Sequence, residues 1–208
     1  MHKILPLLTA CFCIAIAGCA SARSGPEIAA VFDSGVAAYD AGKYDEAFKI
    51  WWTLRDEDIA AMRNVAMMLR KGQGTTKDPK KAEEIYEIAA DAGLPTAQAD
   101  LADMLLKGEA GPPDLERALP LLQAAAAANH PIAQYELGQL YETGAPPLVP
   151  QNLEVARQLY AAAATHGMKE AGARATFLGP PAVPGAPPVL TAQPLAQAAP
   201  ASGPAPPP

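Results

Sequence analysis

The chain has 208 residues, 22 of them acidic and 16 basic, for a net charge of −6. That balance leaves no electrostatic footprint for a phosphate backbone, so nucleic acid is not an expected partner. Half of the residues are hydrophobic, yet the 22 prolines and three cysteines crowd into particular stretches, and their placement carries the information.

All three cysteines, Cys11, Cys13 and Cys19, fall within nine residues near the N-terminus. Lys3 is followed by an apolar run over residues 4–17 that lacks any charge. Fourteen residues are too few to cross a hydrocarbon core that needs roughly 20. A basic start and a short apolar run are the pattern of a signal peptide. Cys11 and Cys13, with one residue between them and no second cysteine group downstream to complete a zinc site, read as small hydrophobes inside that signal. The run ends in Ile16-Ala17-Gly18-Cys19, which resembles the bacterial lipobox. The resemblance implies loss of residues 1–18 and lipidation of Cys19, with residues 19–27 as a short linker. Ala20, rather than aspartate, after the modified cysteine implies outer-membrane sorting with the body facing the periplasm. The mature chain then has one cysteine, occupied by lipid, and forms no disulfide.

Residues 28–178 repeat. Gly72, Gly108 and Gly144 are spaced by 36, and Asp78, Asp114 and Asn152 form a second column whose last step is lengthened to 38 by Pro146-Pro147-Leu148-Val149-Pro150. Ala82, Ala118 and Ala156 keep the register, as do Gly93, Asn129 and Gly167, and Ala97, Ala133 and Ala171. Asp or Asn before an apolar helical pattern is an N-cap, and Gly or Asn after one accepts the left-handed turn that ends a helix. Each unit therefore reads as helix, loop, helix, turn. Small residues (Ala66, Ala102 and Gly138 in the first helix, Ala89-Ala90, Ala125-Ala126 and Ala163-Ala164 in the second) predict close helix packing, with Leu69, Leu105 and Tyr141 filling the remaining space. A single hairpin cannot bury its apolar face alone, so the units must stack into an all-α solenoid. Pro120, inside a second helix, predicts a kink.

The stretch YELGQLYETGAPPLVPQNLEVARQLYAAAATHG from Tyr135 resembles a Sel-one-like repeat, a relative of the tetratricopeptide repeat. KGQGTTKDPKKAEEIYEIAADAG from Lys71 matches the second part of the pattern, and LKGEAGPPDLERALPLLQAAAAAN from Leu106 follows it more loosely. A shorter unit, with Gly42 and Ala47 in order, starts near Glu27, and residues 169–178 begin a further first helix that ends as a cap. Residues 179–208 hold eleven prolines, eight alanines and no charge, which favours an extended or disordered tail serving as a spacer; the alternative is a docking motif, since Pro181-Ala182-Val183-Pro184 meets a PxxP pattern.

No catalytic constellation emerges. His130 and His166 fall in different repeat columns; Asp56-Glu57-Asp58 and Glu83-Glu84 are sequence neighbours rather than a pair across a cleft; and Gly72-Gln73-Gly74 lacks the Lys-Ser/Thr of a phosphate loop. No metal and no cofactor are expected. The register puts Trp51 with Tyr86, Leu122 and Tyr160 as core, and Trp52 with Glu87, Gln123 and Ala161 at the surface. Trp52 has two readings: a cap on the open end of the solenoid or the linker, or a partner contact. The resemblance implies a non-enzymatic, membrane-anchored scaffold for envelope proteins in secretion, polysaccharide export or cell-wall machinery. The alternative is a peptidoglycan binder or hydrolase.

Overall fold

The computed structural model describes residues 23–180. Cys19, the signal segment 1–18 and nearly all of the proline-rich segment lie outside the described residues. Among these residues nine α-helices and no strands form four hairpins and a terminal helix: α1 (Gly25–Asp40) with α2 (Tyr44–Leu54), α3 (Ile59–Lys71) with α4 (Pro79–Asp91), α5 (Pro95–Lys107) with α6 (Leu115–Ala127), α7 (Pro131–Thr143) with α8 (Leu153–Thr165), and α9 (Lys169–Phe177). Each helix packs against the one before it and the one after it. That serial packing is the all-α solenoid the repeat predicts.

The caps fall where the columns put them. Asp78, Asp114 and Asn152 each accept the backbone N–H three residues on, at 3.0, 3.0 and 3.1 Å. Gly93, Asn129 and Gly167 take positive φ values of 85°, 62° and 91°. Gly72 and Gly108 adopt the left-handed helical conformation, but Gly144 combines φ 75° with ψ 151°. Its loop is two residues longer and must leave the helix extended to form the Ala145–Val149 bridge, which buries Val149.

One feature departs from the sequence reading, the start of α1. α6 is continuous through Pro120. Pro120 lies on the exposed face, and the carbonyl that loses its donor belongs to exposed Glu116 in the first turn, where water can serve it. α1 begins at Gly25, inside the segment expected to be linker. The Glu27 carboxylate accepts from the Ser24 N–H at 2.7 Å and so fixes an earlier start.

Counting back six residues from each first-helix C-cap gives Gly35, Ala66, Ala102 and Gly138, all buried. A Cβ on Gly138 would lie 2.8 Å from the Tyr160 ring, and one on Gly35 would overlap the Trp51 indole. Opposite that column, Trp51, Tyr86, Leu122 and Tyr160 are buried as predicted. Each is the eighth residue of its helix and stabilises the stack by about 1.5–3 kcal/mol through burial. Hairpins are also stitched together: Gln98 and Gln134 donate to the carbonyls of Ala90 and Ala126, at 3.2 and 3.1 Å, near the end of the preceding helix.

Candidate functional site

The large side chains of the second helices point toward the first helices, and what meets them there differs from unit to unit. Two first-helix positions face each of these side chains. One lies two residues before the C-cap of the same hairpin: Tyr39, Arg70, Leu106 and Glu142. The other is the sixth residue of the following first helix: Asn64, Asp100, Glu136 and Arg174.

In the last hairpin this set is closed. The Tyr160 hydroxyl donates to Glu142 Oε2 at 2.7 Å, and Arg174 Nε donates to the same oxygen at 2.8 Å, with Nη2 bound to Oε1. The Arg174 guanidinium holds the Glu142 carboxyl below its usual range. Burial, together with the Glu142 contact, pushes the Tyr160 phenol up.

In the hairpin α3–α4 the charges are inverted: Arg70 stands in the place of Glu142, and Asp100 in the place of Arg174. Both lie beside the tyrosine but are paired with other charged groups. Arg70 Nη2 pairs with Glu109 at 2.5 Å and with Asp103 at 2.6 Å. Asp100 is taken by Arg63 at 2.5 Å. Hydrogen bonding to Arg70 depresses the Glu109 carboxyl, and although burial opposes it, Lys107 and Arg70 keep Asp103 low as well. The Tyr86 hydroxyl, on a fully buried residue, has no hydrogen-bond partner of good geometry. Its phenol is pushed up, chiefly by burial.

Beside Tyr86 lies a cleft of about 340 Å³, lined by Val36, Tyr39 and Trp51 from the first hairpin, by Arg63, Asn64, Met67, Arg70 and Lys71 from α3, by Tyr86 and by Asp100. Val36, Tyr39, Trp51, Met67 and Tyr86 form an apolar and aromatic half of its wall, its cations other than rim Lys71 are paired, and one buried donor has no partner. Its size suits a ligand held by shape and by hydrogen-bond acceptors.

The middle set has Leu106 and Leu122 in place of the hydrogen-bonding groups. Glu136 is left with Oε2 buried and unbonded. Burial, reinforced by Asp103 and Asp100 against Lys107 and Arg70, pushes its carboxyl up to about 7.

The structure gives a place to the sequence candidates within residues 23–180. Trp52 is 37% exposed on α2, tilted against Phe48 at 5.5 Å with the Arg55 guanidinium 4.5 Å above its ring, and does not line the cleft. Arg23, in the linker, reaches the Thr53 carbonyl and Glu57 next to it. His130 caps α7, its Nδ1 accepting from Ala133 N–H at 3.4 Å, and burial lowers its pKa. His166 is the C-cap of α8. Asp58 caps α3, Glu83 and Glu87 pair with Arg117, and Glu84 pairs with Lys81. Gly74 lies against the Tyr44 backbone, and Gln73 accepts from the Tyr39 hydroxyl at 3.0 Å. Among the described residues no group of three His, Cys, Asp or Glu could hold a metal, and no helix is long and apolar enough to cross a membrane.

A family model for the Sel1 repeat matches residues 59–94, 95–130 and 131–168, each one hairpin. The chain belongs to the Sel1 repeat family. A Sel1 repeat protein from Oxalobacter formigenes is 35% identical, with a TM-score of 0.65 over 69% of this chain and 58% of its own. The c5321 protein, a protective antigen of uropathogenic Escherichia coli with the same fold, is 25% identical, with a TM-score of 0.65 over 71% of this chain and 32% of its own. This chain therefore spans less than two thirds of either structure. No curated protein matches it. Sel1 repeats mediate protein–protein contacts, a scaffold role. The match begins at residue 59, so α1 and α2 form a hairpin outside the matched repeats that walls one side of the cleft.

Proposed function

We propose that this Sel1 repeat protein is a non-enzymatic scaffold, tethered by lipid on Cys19 to the outer membrane, that assembles envelope proteins on its solenoid. The observation carrying this reading is the cleft between the first two hairpins: a partly apolar and aromatic wall, paired ions and an unused buried donor suit capture of an extended chain better than catalysis. Two sequence features support the location, the apolar run after Lys3 and the lipobox-like Ile16-Ala17-Gly18-Cys19. Two acyl signals suffice for a stable membrane anchor. Trp52, with Phe48 and Arg55 around it, is a second contact surface at the same end of the molecule.

The test is a pull-down from detergent-solubilised envelope with the full chain. Recovery of defined proteins, weakened several-fold by Trp52→Ala at unchanged helical signal, supports the scaffold. Retention on purified cell wall without protein partners supports peptidoglycan binding instead. Conversion of Cys19 to serine should shift the protein from the membrane fraction to the soluble one.

A further inference from the structure

The cleft has a hydrogen-bond donor to give and little use for charge. The Tyr86 hydroxyl is buried and unpartnered, while Arg63 and Arg70, the guanidinium groups beside it, are committed to Asp100 and to Asp103 with Glu109. A charged ligand would have to break one of these pairs, whereas a neutral one rich in acceptors need not. Tyr39 adds aromatic surface, backed by the buried Trp51 and Tyr86 rings, and Met67 an adaptable apolar one. Aromatic grooves with hydrogen-bond donors are what proline-rich segments dock into, because each proline leaves a carbonyl without a matching N–H.

The chain itself carries such a segment. Residues 181–208 contain ten prolines and no charged side chain. They start just after α9, about three hairpin steps from the cleft, or roughly 30 Å at some 10 Å per packed helix. Twenty-eight residues at roughly 3.1 Å each can span up to about 90 Å. The other three sets offer no equivalent seat: Trp51 Nε1 donates to the Phe32 carbonyl, Tyr160 is satisfied by Glu142, and Leu122 has no donor.

We propose that residues 181–208 of the same chain occupy the cleft beside Tyr86 and cover it until a partner displaces them. The proposal rests on reading the cleft as the docking surface of the scaffold. It is tested on the full chain with benzoylphenylalanine in place of Leu190, irradiated at several dilutions. Cross-links to the cleft, at Met67 or Val36, with a yield independent of concentration, are the expected result. Tyr86→Phe should reduce that yield about five-fold, the worth of one hydrogen bond, and Tyr160→Phe should leave it unchanged. Because the Tyr86 hydroxyl has no partner, its loss leaves the fold intact, which a thermal melt checks. A second variant, Pro187→Glu with Pro188→Glu, does not touch the solenoid and should also reduce the yield. Cross-links scattered over α6–α9, or a yield indifferent to both variants, would overturn the proposal. A yield that falls on dilution would place the segment of a second copy in the cleft and overturn the assignment to the same chain. Partners captured in the pull-down without cleft cross-links would remove only the tail assignment. Cleft cross-links without partners would remove the scaffold reading.

Discussion

Hairpins α3–α4 and α7–α8 bury the same side chain at the same position, yet one tyrosine is locked and the other is idle. Tyr160 meets Glu142, which accepts from both the hydroxyl and Arg174. Tyr86 faces the same two positions with the charges exchanged, and competing partners, Glu109, Asp103 and Arg63, have claimed both. A repeat that ends the solenoid gains from a closed, self-satisfied network. A repeat beside the hairpin that falls outside the matched repeats borders a cleft instead. The difference teaches that in a solenoid the fold is set by the columns that stay constant, and binding by the columns that change.

Four predictions would break or sharpen that contrast. The largest effect is expected from Gly138→Ala, whose methyl would press on the Tyr160 ring; about 2–3 kcal/mol of stability should be lost in denaturant titration. Ala66, at the equivalent position of the open hairpin, already carries that methyl. Next, Arg70→Ala removes a largely buried cation from two carboxylates and should cost about 2 kcal/mol. In the wild type the stabilisation from Asp103 and Glu109, whose carboxyls are depressed, is present at neutral pH and is lost as pH falls through the acid range. A urea series at pH 7 and pH 3 should therefore show the Arg70→Ala penalty shrinking in acid.

The third prediction is the direct comparison. Tyr160→Phe removes a hydrogen bond to a charged group and should cost about 1.5 kcal/mol. Tyr86→Phe removes an unsatisfied hydroxyl and should leave the melting temperature unchanged or slightly higher. Equal losses from the two would show that Tyr86 is bonded after all. The smallest effect concerns Glu136, which holds its proton in the folded state up to about pH 7 but releases it near the ordinary 4.5 when unfolded. Stability should accordingly fall between about pH 4.5 and 7 and level off above. Glu136→Gln should remove that fall and be more stable than wild type at pH 8 by on the order of 1 kcal/mol.

Much of this architecture is legible in the residues themselves. Asp78, Asp114 and Asn152 declare N-caps because a side-chain oxygen before an apolar helical pattern has few other uses there. Gly138 and Tyr160 declare close packing because small and large residues alternate in register. Asp58 and His130, which cap first helices, were open to the same reading but do not recur as one residue type, since Leu94 and Met168 hold the equivalent places. The Gln98 and Gln134 stitches were a recurring signal in plain view, 36 residues apart. The cleft was harder to see. Arg70, Leu106 and Glu142 look like an unconstrained column, and Trp52 drew attention because an indole among polar and small residues is unusual.

The sequence by itself determined the capped helix ends of the repeats, the stacking order and the buried aromatic column, because caps and apolar periodicity act within a few residues along the chain. Only the tertiary structure decided which ions pair and which donor is left over. Arg70 chooses Glu109, 39 residues away, over the neighbouring tyrosine, and that choice depends on distances of a few ångströms that no repeat period encodes.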